Sequence, residues 1–207
     1  MFRTIGVLLT ATALAGAVTV ECGFDAGRLE LRETDGMTVV GLPGCVPAWE
    51  TGAPAVPVYV VQAVVPQGMK VTGVTLLGHE TEPVAGEYDV YPVQPPRPLS
   101  DPGPFEFTPA DPRFYGLPAY PAEVVTAAHQ GSMFGYNIAS AFVAPVQYLP
   151  GEKKLLFHPN VKFAFELEPA DLGYLEVRNR SPEAVRRIEA QLASFVVNPE
   201  DISRYAP

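Results

Sequence analysis

The sequence predicts an all-β, antiparallel fold followed by one C-terminal amphipathic helix. The stretch Tyr136–Glu168 carries most of this prediction, because it reads as strands separated by turns at Gly151–Lys154 and at Pro159 and Asn160. Proline supplies 23 of the 207 residues, more than the usual value of about 5%. Proline removes a backbone donor, so strands should be short and long helices few.

The last strand of this meander alternates between apolar and charged side chains. The apolar residues on one side are Val161, Phe163, Phe165 and Leu167. The residues on the other side are Lys162, Glu166 and Glu168, with Ala164 among them. This period of two is typical of a strand with one face on a core and one in water. Earlier in the meander we expect one apolar strand running from Tyr136 to the Pro145–Pro150 segment.

The first 17 residues have the form of a secretory signal peptide. Arg3 is the basic residue, Ile5–Ala15 is a short apolar run, and Ala15–Ala17 is an A-x-A cleavage site. We expect the mature chain to start near Val18 and to be secreted to the periplasm or the exterior. A membrane helix is the weaker alternative, because the run is shorter than the roughly 20 residues that a span needs.

Charge argues against two classes of partner. The net charge is −9, and it becomes −10 once Arg3, the only charged residue of the signal, is removed. Nucleic acids and anionic membrane surfaces both bind through lysine and arginine, so neither is expected as a partner. The two cysteines, Cys22 and Cys45, either form a disulfide after export or remain two independent thiols.

Further strands are expected along the chain. In the strand at Lys70–Leu77, Val71 should lie on one face, and Val74 and Leu76 on the other. The other predicted strands are Met37–Leu42, Val56–Val65, Tyr88–Val93, Glu123–Ala128 and Tyr174–Val177.

The segment Gln94–Pro121 has no strand pattern. It holds nine of the prolines together with five aromatic residues: Phe105, Phe107, Phe114, Tyr115 and Tyr120. Long loops inside compact domains are usually functional or disordered. Because aromatic rings give this loop apolar area to bury, we expect it to be ordered against the domain or a partner.

The C-terminal part predicts a helix of three to four turns. Ser181 is a candidate N-cap, Pro182 suits the first helical position, and apolar residues then recur at helical spacing. These apolar residues are Val185, Ile188, Leu192 and Phe195. The final residues are expected to form a connector.

No catalytic motif is present in the sequence, so we expect no enzyme activity of the chain itself and no cofactor. His79, Glu80 and Glu82 could be drawn as a metal site, but a solvated polar loop is the preferred interpretation, and no metal is expected. His129 and His158 are interpreted as turn or surface histidines.

Five short segments resemble the propeptides of gingipain-type cysteine peptidases. They occur in the same order in those propeptides, and the match spans roughly Gly41–Glu168, most of the expected mature chain. They are Gly52–Pro57 (GAPAVP), Pro66–Lys70 (PQGMK), Tyr91–Pro98 (YPVQPPRP), Tyr120–Pro121 and Pro145–Pro150 (PVQYLP).

This resemblance implies a jelly-roll-like β-sandwich prodomain that assists folding of a caspase-like peptidase and keeps it latent. In such families a prodomain loop lies across the active-site cleft, sometimes with a basic side chain in the primary specificity pocket. Arg113 and Arg97 lie in the long loop, and Arg113, with its neighbours Phe114 and Tyr115, is the better candidate. The partner so implied is the cognate peptidase domain, normally in the same precursor.

The expected organisation is a signal peptide at 1–17, a β-sandwich propeptide domain at 18–178, and a helical tail and connector at 179–207. The peptidase domain that would follow is absent, so the chain is either part of a precursor or a stand-alone domain. The alternative function is a secreted β-sandwich module that binds carbohydrate or attaches to a cell surface, because exposed loop aromatics can stack on sugars.

Overall fold

The computed structural model describes residues 9–14, 17–97, 100, 103–104, 106–171 and 181–206. The predicted fold class is confirmed: antiparallel strands are the main regular structure of the described chain, and α2 is its one helix of more than four residues. The helices are α1 (Pro112–Tyr115) and α2 (Pro182–Ala193). The strands are β1 (Leu9–Leu14), β2 (Ala17–Gly23), β3 (Glu30–Thr34), β4 (Met37–Gly41), β5 (Val46–Pro47), β6 (Pro57–Val65), β7 (Met69–His79), β8 (Glu82–Val84), β9 (Val125–Met133), β10 (Tyr136–Val143), β11 (Val146–Leu149), β12 (Lys154–Phe157) and β13 (Asn160–Pro169).

Two four-stranded sheets form the sandwich. The first has the order β1-β2-β13-β7 and the second the order β5-β6-β10-β9. Their inner faces share one apolar core, to which β2 and β13 contribute from one side and β6 and β10 from the other. A three-stranded sheet β11-β12-β8 and the hairpin β3-β4 complete the strands.

Strand β13 is central in the first sheet and has the predicted alternation. Phe163 and Phe165 are fully buried, and their rings pack edge to face with centroids 5.4 Å apart. Phe165 lies opposite Val18 of β2 and Val74 of β7. The prediction that Phe163 and Phe165 point inward together is therefore confirmed.

The predicted faces of β7 are wrong. Val71, Val74 and Leu76 lie opposite Leu167, Phe165 and Phe163, respectively, and directly opposed residues share a face. All three therefore lie on one side of the sheet. The reason is a shift in the register between the pairs Glu166–Gly73 and Leu167–Val71, which inserts one residue and resets the alternation. Val71 and Val74 pack against the core, and Leu76 is 40% exposed.

Two other strand assignments need correction. The apolar stretch after Tyr136 is broken at Ala144 and Pro145 into β10 and β11, which belong to different sheets. The segment Tyr88–Val93 forms only isolated bridges, because its backbone bonds go to several separate elements and Pro92 has no donor. The strand expected at Tyr174–Val177 lies outside the described residues.

The N-terminal region contains strands that were not predicted. β2 places Val18, Val20 and Cys22 in the core, and Leu9–Leu14 of the expected signal peptide pairs with it as β1. Cleavage after Ala17 stays a prediction. No helix in the described part of the chain is long and apolar enough to cross a membrane.

The predicted tail helix is present as α2. The Ser181 hydroxyl accepts a hydrogen bond from the Ala184 amide at 3.2 Å, as an N-cap should. Leu192 is fully buried in a second apolar cluster, on the outer face of the second sheet. The members of this cluster are Val64, Tyr136, Ile138, Leu192, Val196, Ile202 and Tyr205, with Ile188 and Phe195 packed against them.

The residues after α2 cover an open edge of β6. The Val197 amide donates to the Gln62 carbonyl at 2.8 Å. The buried Asn198 side chain accepts from the Val64 amide and donates to the Val64 carbonyl, both at 2.8 Å. Residues 196–205 are thus part of the folded domain, and a further domain after them stays a prediction.

Candidate binding cleft

A small cleft lies on the outer face of the second sheet, between that face and the end of the long loop. Its volume is about 280 Å³. Most of its wall is apolar, and strands β6, β9 and β10, the loop 114–123 and the segment 48–50 all contribute. The lining residues are Ala48, Trp49, Glu50, Val58, Phe114, Leu117, Tyr120, Pro121, Ala122, Glu123, Thr126, Phe142 and Ala144.

Aromatic rings and one carboxylate organise this cleft. Trp49 is 55% exposed and packs on Phe142 with ring centroids 4.6 Å apart. The Tyr120 hydroxyl donates to the Glu50 carboxylate at 2.9 Å. Burial, and then this hydrogen bond to a carboxylate, raise the pKa of Tyr120 well above its ordinary value. The hydroxyl therefore stays a donor that orients Glu50.

The long loop is held at both ends by hydrogen bonds. The Gln94 side chain donates to the Thr108 carbonyl at 3.0 Å and accepts from the Thr108 amide at 2.8 Å. Farther on, the backbones of Tyr120 and Tyr148 exchange two hydrogen bonds of 2.8 Å. Phe114, Tyr115 and Leu117 pack against the main core between these two anchors. The expectation of an ordered loop is met by its described residues.

Position 52, where the chain contacts the long loop, requires a glycine. Gly52 has φ of +82°, and a Cβ there would lie 3.0 Å from the Cβ of Asp111. The Asp111 amide donates to the Gly52 carbonyl at 2.9 Å. This close approach fixes Asp111, which caps α1 by accepting from the Arg113 amide at 2.8 Å.

Arg113 projects from this capped turn. Its side chain is 79% exposed, its guanidinium contacts the Asp111 carboxylate at 2.6 and 2.9 Å, and it lies 5.5 Å from the centre of the Phe114 ring. These hydrogen bonds raise the pKa of Arg113 and lower the pKa of Asp111. The Glu50 carboxylate also raises the pKa of Arg113, and Phe114, the residue after Arg113, lines the cleft.

The other predicted loop residues have different positions. Phe114 lines the cleft. The Tyr115 hydroxyl donates to the Val90 carbonyl, and burial raises its pKa, so Tyr115 anchors the loop. Arg97 donates to the Gly103 carbonyl at 2.8 Å and does not line the cleft. Phe105 lies outside the described residues.

His158 lies in the turn between β12 and β13, as one interpretation expected, but it is buried, so the surface interpretation is wrong. The Gln147 amide group donates to the Pro121 carbonyl at 2.7 Å, which leaves its oxygen to accept from His158 Nε2 at 3.0 Å. His158 Nδ1 lies 3.1 Å from the Thr81 hydroxyl and 3.2 Å from the Glu80 carbonyl oxygen. Burial lowers the pKa of His158. The neutral ring thus supports Pro121, a residue of the cleft wall.

The two cysteines and the possible metal ligands of the described region are the remaining candidates for chemistry. Cys22 and Cys45 carry free thiols in this structure, and Cys45 is close enough to Cys22 to contribute to raising the pKa of Cys22. A disulfide between them after export stays a prediction. Burial raises the pKa of each thiol to about 12, so both are protonated at neutral pH. Among the described residues, no three His, Cys, Asp or Glu side chains come together in a way that could hold a metal ion.

The sequence reasoning did not single out Trp49, Glu50, Glu123 or Phe142. The sequence does contain one signal that could have pointed to Trp49 and Glu50. Trp49, the only tryptophan of the chain, precedes Glu50 in a connector rich in glycine and proline. A large ring in such a segment has few ways to be fully buried.

Comparison with known proteins bears on the fold. No protein-family model and no curated protein match the chain. One chain of the complex of the RgpB pro- and mature domains from Porphyromonas gingivalis matches with a TM-score of 0.71 and 18% identity, over 96% of this chain and 100% of that chain. A structure on the zymogenic latency of gingipain K from the same organism matches with a TM-score of 0.62 and 23% identity, over 82% of this chain and 97% of that chain. The resemblance seen in the sequence is confirmed at the level of the fold.

Proposed function

We propose that this chain is the secreted propeptide of a gingipain-like cysteine peptidase, and that it aids folding of the peptidase and keeps it latent. The observation that carries the proposal is the shared fold. It extends over 96% of this chain and over the whole of the matched chain from the RgpB pro- and mature-domain complex. The ordered sequence segments, from GAPAVP to PVQYLP, support it independently.

The chain would act by binding and not by chemistry. Its two thiols have raised pKa values, and a nucleophilic cysteine needs a lowered one. The catalytic residues in this account belong to the peptidase domain, which is the proposed partner.

Latency would depend on the loop that carries Arg113. Proline and the Gln94 hydrogen bonds restrict this loop before any partner binds, so little conformational entropy is lost on binding. Arg113 is exposed on a turn whose position is fixed by Asp111 and Gly52. A guanidinium presented in this way suits a specificity pocket that prefers a basic side chain. Arg97 is the second candidate.

Arg113 can be tested by substitution, because its side chain is exposed and its loss should not unfold the domain. Arg113→Ala should raise the inhibition constant for a peptidase that prefers basic residues, by at least tenfold. Arg32→Ala is the matched control, since Arg32 is 72% exposed and pairs with Glu30 two residues away. Equal inhibition by both variants would remove Arg113 from the mechanism.

The folding role has its own test. The denatured peptidase domain should recover more activity after refolding with the chain present, followed by removal of the chain, than after refolding alone. Equal recovery, with an unrelated β-sandwich protein as the reference, would show that the chain gives no folding aid.

The second candidate function is a carbohydrate-binding module. The half-exposed Trp49 ring beside Phe142 favours it, because aromatic faces can pack on sugars. Titration with soluble oligosaccharides, followed by Trp49 fluorescence, tests it directly.

A further inference from the structure

Two carboxylates and two aromatic rings surround the same small apolar cavity. Trp49 and Phe142 form one side, and the exposed residues Glu50 and Glu123 also line the cavity. A cation is attracted both by the face of an aromatic ring and by a carboxylate. Two carboxylates and two aromatic rings around one apolar cavity favour a ligand that has a positively charged group attached to an apolar chain.

Neither carboxylate forms an ion pair within the described part of the chain. None of the ion pairs formed by the described residues includes Glu50 or Glu123. Arg113, a cation near Glu50, already contacts Asp111 at 2.6 Å. With a net charge of −9 for the whole chain, the cleft favours a positive ligand.

The cavity suits one long side chain. Its volume of about 280 Å³ lies just below the roughly 300–1,000 Å³ of pockets for drug-sized ligands. Val58, Leu117 and Ala144 give its wall an apolar surface, against which the methylenes of a lysine or arginine can pack. A sugar ring would need several hydrogen-bonding groups, yet the Tyr120 hydroxyl is already directed to Glu50.

We infer that this cleft binds a lysine or arginine side chain presented by a protein segment, with Glu50 and Glu123 holding the charge. Trp49 and Phe142 cover the stem of that side chain. The inference that the segment belongs to the peptidase domain rests on the proposed function. In the proposed Arg113 contact, this chain places a cation in a pocket of the peptidase. At this cleft, the peptidase would place a cation in a pocket of this chain.

The single tryptophan provides the assay. The purified chain is titrated with a blocked pentapeptide that has one arginine between leucines, and Trp49 fluorescence is recorded. Peptides with glutamine or glutamate in place of arginine are the comparison. We expect a saturable change with the arginine peptide, at least tenfold weaker binding of the glutamine peptide, and weaker binding of the arginine peptide at high salt.

Paired substitutions test the two carboxylates. Glu50→Gln with Glu123→Gln should weaken binding of the arginine peptide by roughly tenfold. Glu33→Gln with Glu152→Gln changes the net charge equally, but neither residue lines the cleft, so binding should not change. Equal binding of the arginine and glutamine peptides would overturn the inference, and so would a response to oligosaccharides alone. These peptide results on the unmodified chain do not depend on how well the variants fold.

The same chain separates this inference from the proposed function. If it binds the arginine peptide but does not inhibit a gingipain-like peptidase, the cation site stands and the latency role falls. If it inhibits the peptidase but does not bind the peptide, the cation site falls.

Discussion

Replacing Phe165 by alanine is the sharpest test of the core. Phe165 is fully buried in the central strand β13, between Val18 and Val74 on the neighbouring strands. Its ring also packs on Phe163 at 5.4 Å, a contact of about 0.5–1.5 kcal/mol. Large-to-small changes of buried phenylalanine cost about 3–5 kcal/mol. This is a large part of the roughly 5–15 kcal/mol that stabilises a typical domain.

Equilibrium unfolding in urea measures this cost. With a slope of roughly 2–3 kcal/mol per molar for a domain of this size, the midpoint of Phe165→Ala should fall by about 1–2.5 M. Phe107→Ala makes the same chemical change at a ring that is 44% exposed and should cost less than about 1.5 kcal/mol. A midpoint of Phe165→Ala equal to that of the unmodified chain would refute the register assigned to β13.

Two buried polar side chains, Asn198 and His158, should each have a measurable effect on the free energy of unfolding. Asn198→Ala leaves the amide and carbonyl of Val64 without partners, so it should cost about 2–4 kcal/mol, whereas the exposed Asn160→Ala should cost less than about 1 kcal/mol. Equal urea midpoints would show that the tail does not protect β6. The pKa of His158 is lowered in the folded chain, so as the pH falls below about 6.5 the unfolded chain takes up a proton that the folded chain does not. The free energy of unfolding should then fall, by up to about 1.4 kcal/mol per pH unit. His158→Gln should flatten this slope and the exposed His129→Gln should not, and an unchanged slope in His158→Gln would contradict the account.

The fold class could be predicted because its main signals are local. The alternation in β13 and the cap and apolar spacing of α2 are each contained in a short stretch of sequence. The hairpin β3-β4 was missed although Asp35 and Gly36, both at positive φ, form the dipeptide typical of a two-residue turn. The period-two pattern of β2 was missed because it directly follows a run with the composition of a signal peptide.

Other features could not be predicted from local patterns. The register shifts in β7 depend on its pairing with β13. Gly73 and Gly78 stand beside the two shifts, but a glycine in a strand only suggests a bulge and does not fix the register. The cleft joins segments that are distant in the chain, from Trp49 to Phe142, so only the topology brings its residues together. The candidate loop was found because its prolines and aromatics interrupt the strand pattern, and the exposed position of Arg113 became evident only with the contacts of Asp111 and Gly52.

Inhibition in trans tests the central claim most directly. The purified chain, added to a separately prepared gingipain-like peptidase, should abolish hydrolysis of a small peptide substrate with saturable, stoichiometric binding. The chain alone should hydrolyse none of that substrate. Full peptidase activity at a large molar excess of the chain, together with no detectable complex by size-exclusion chromatography, would contradict the propeptide account.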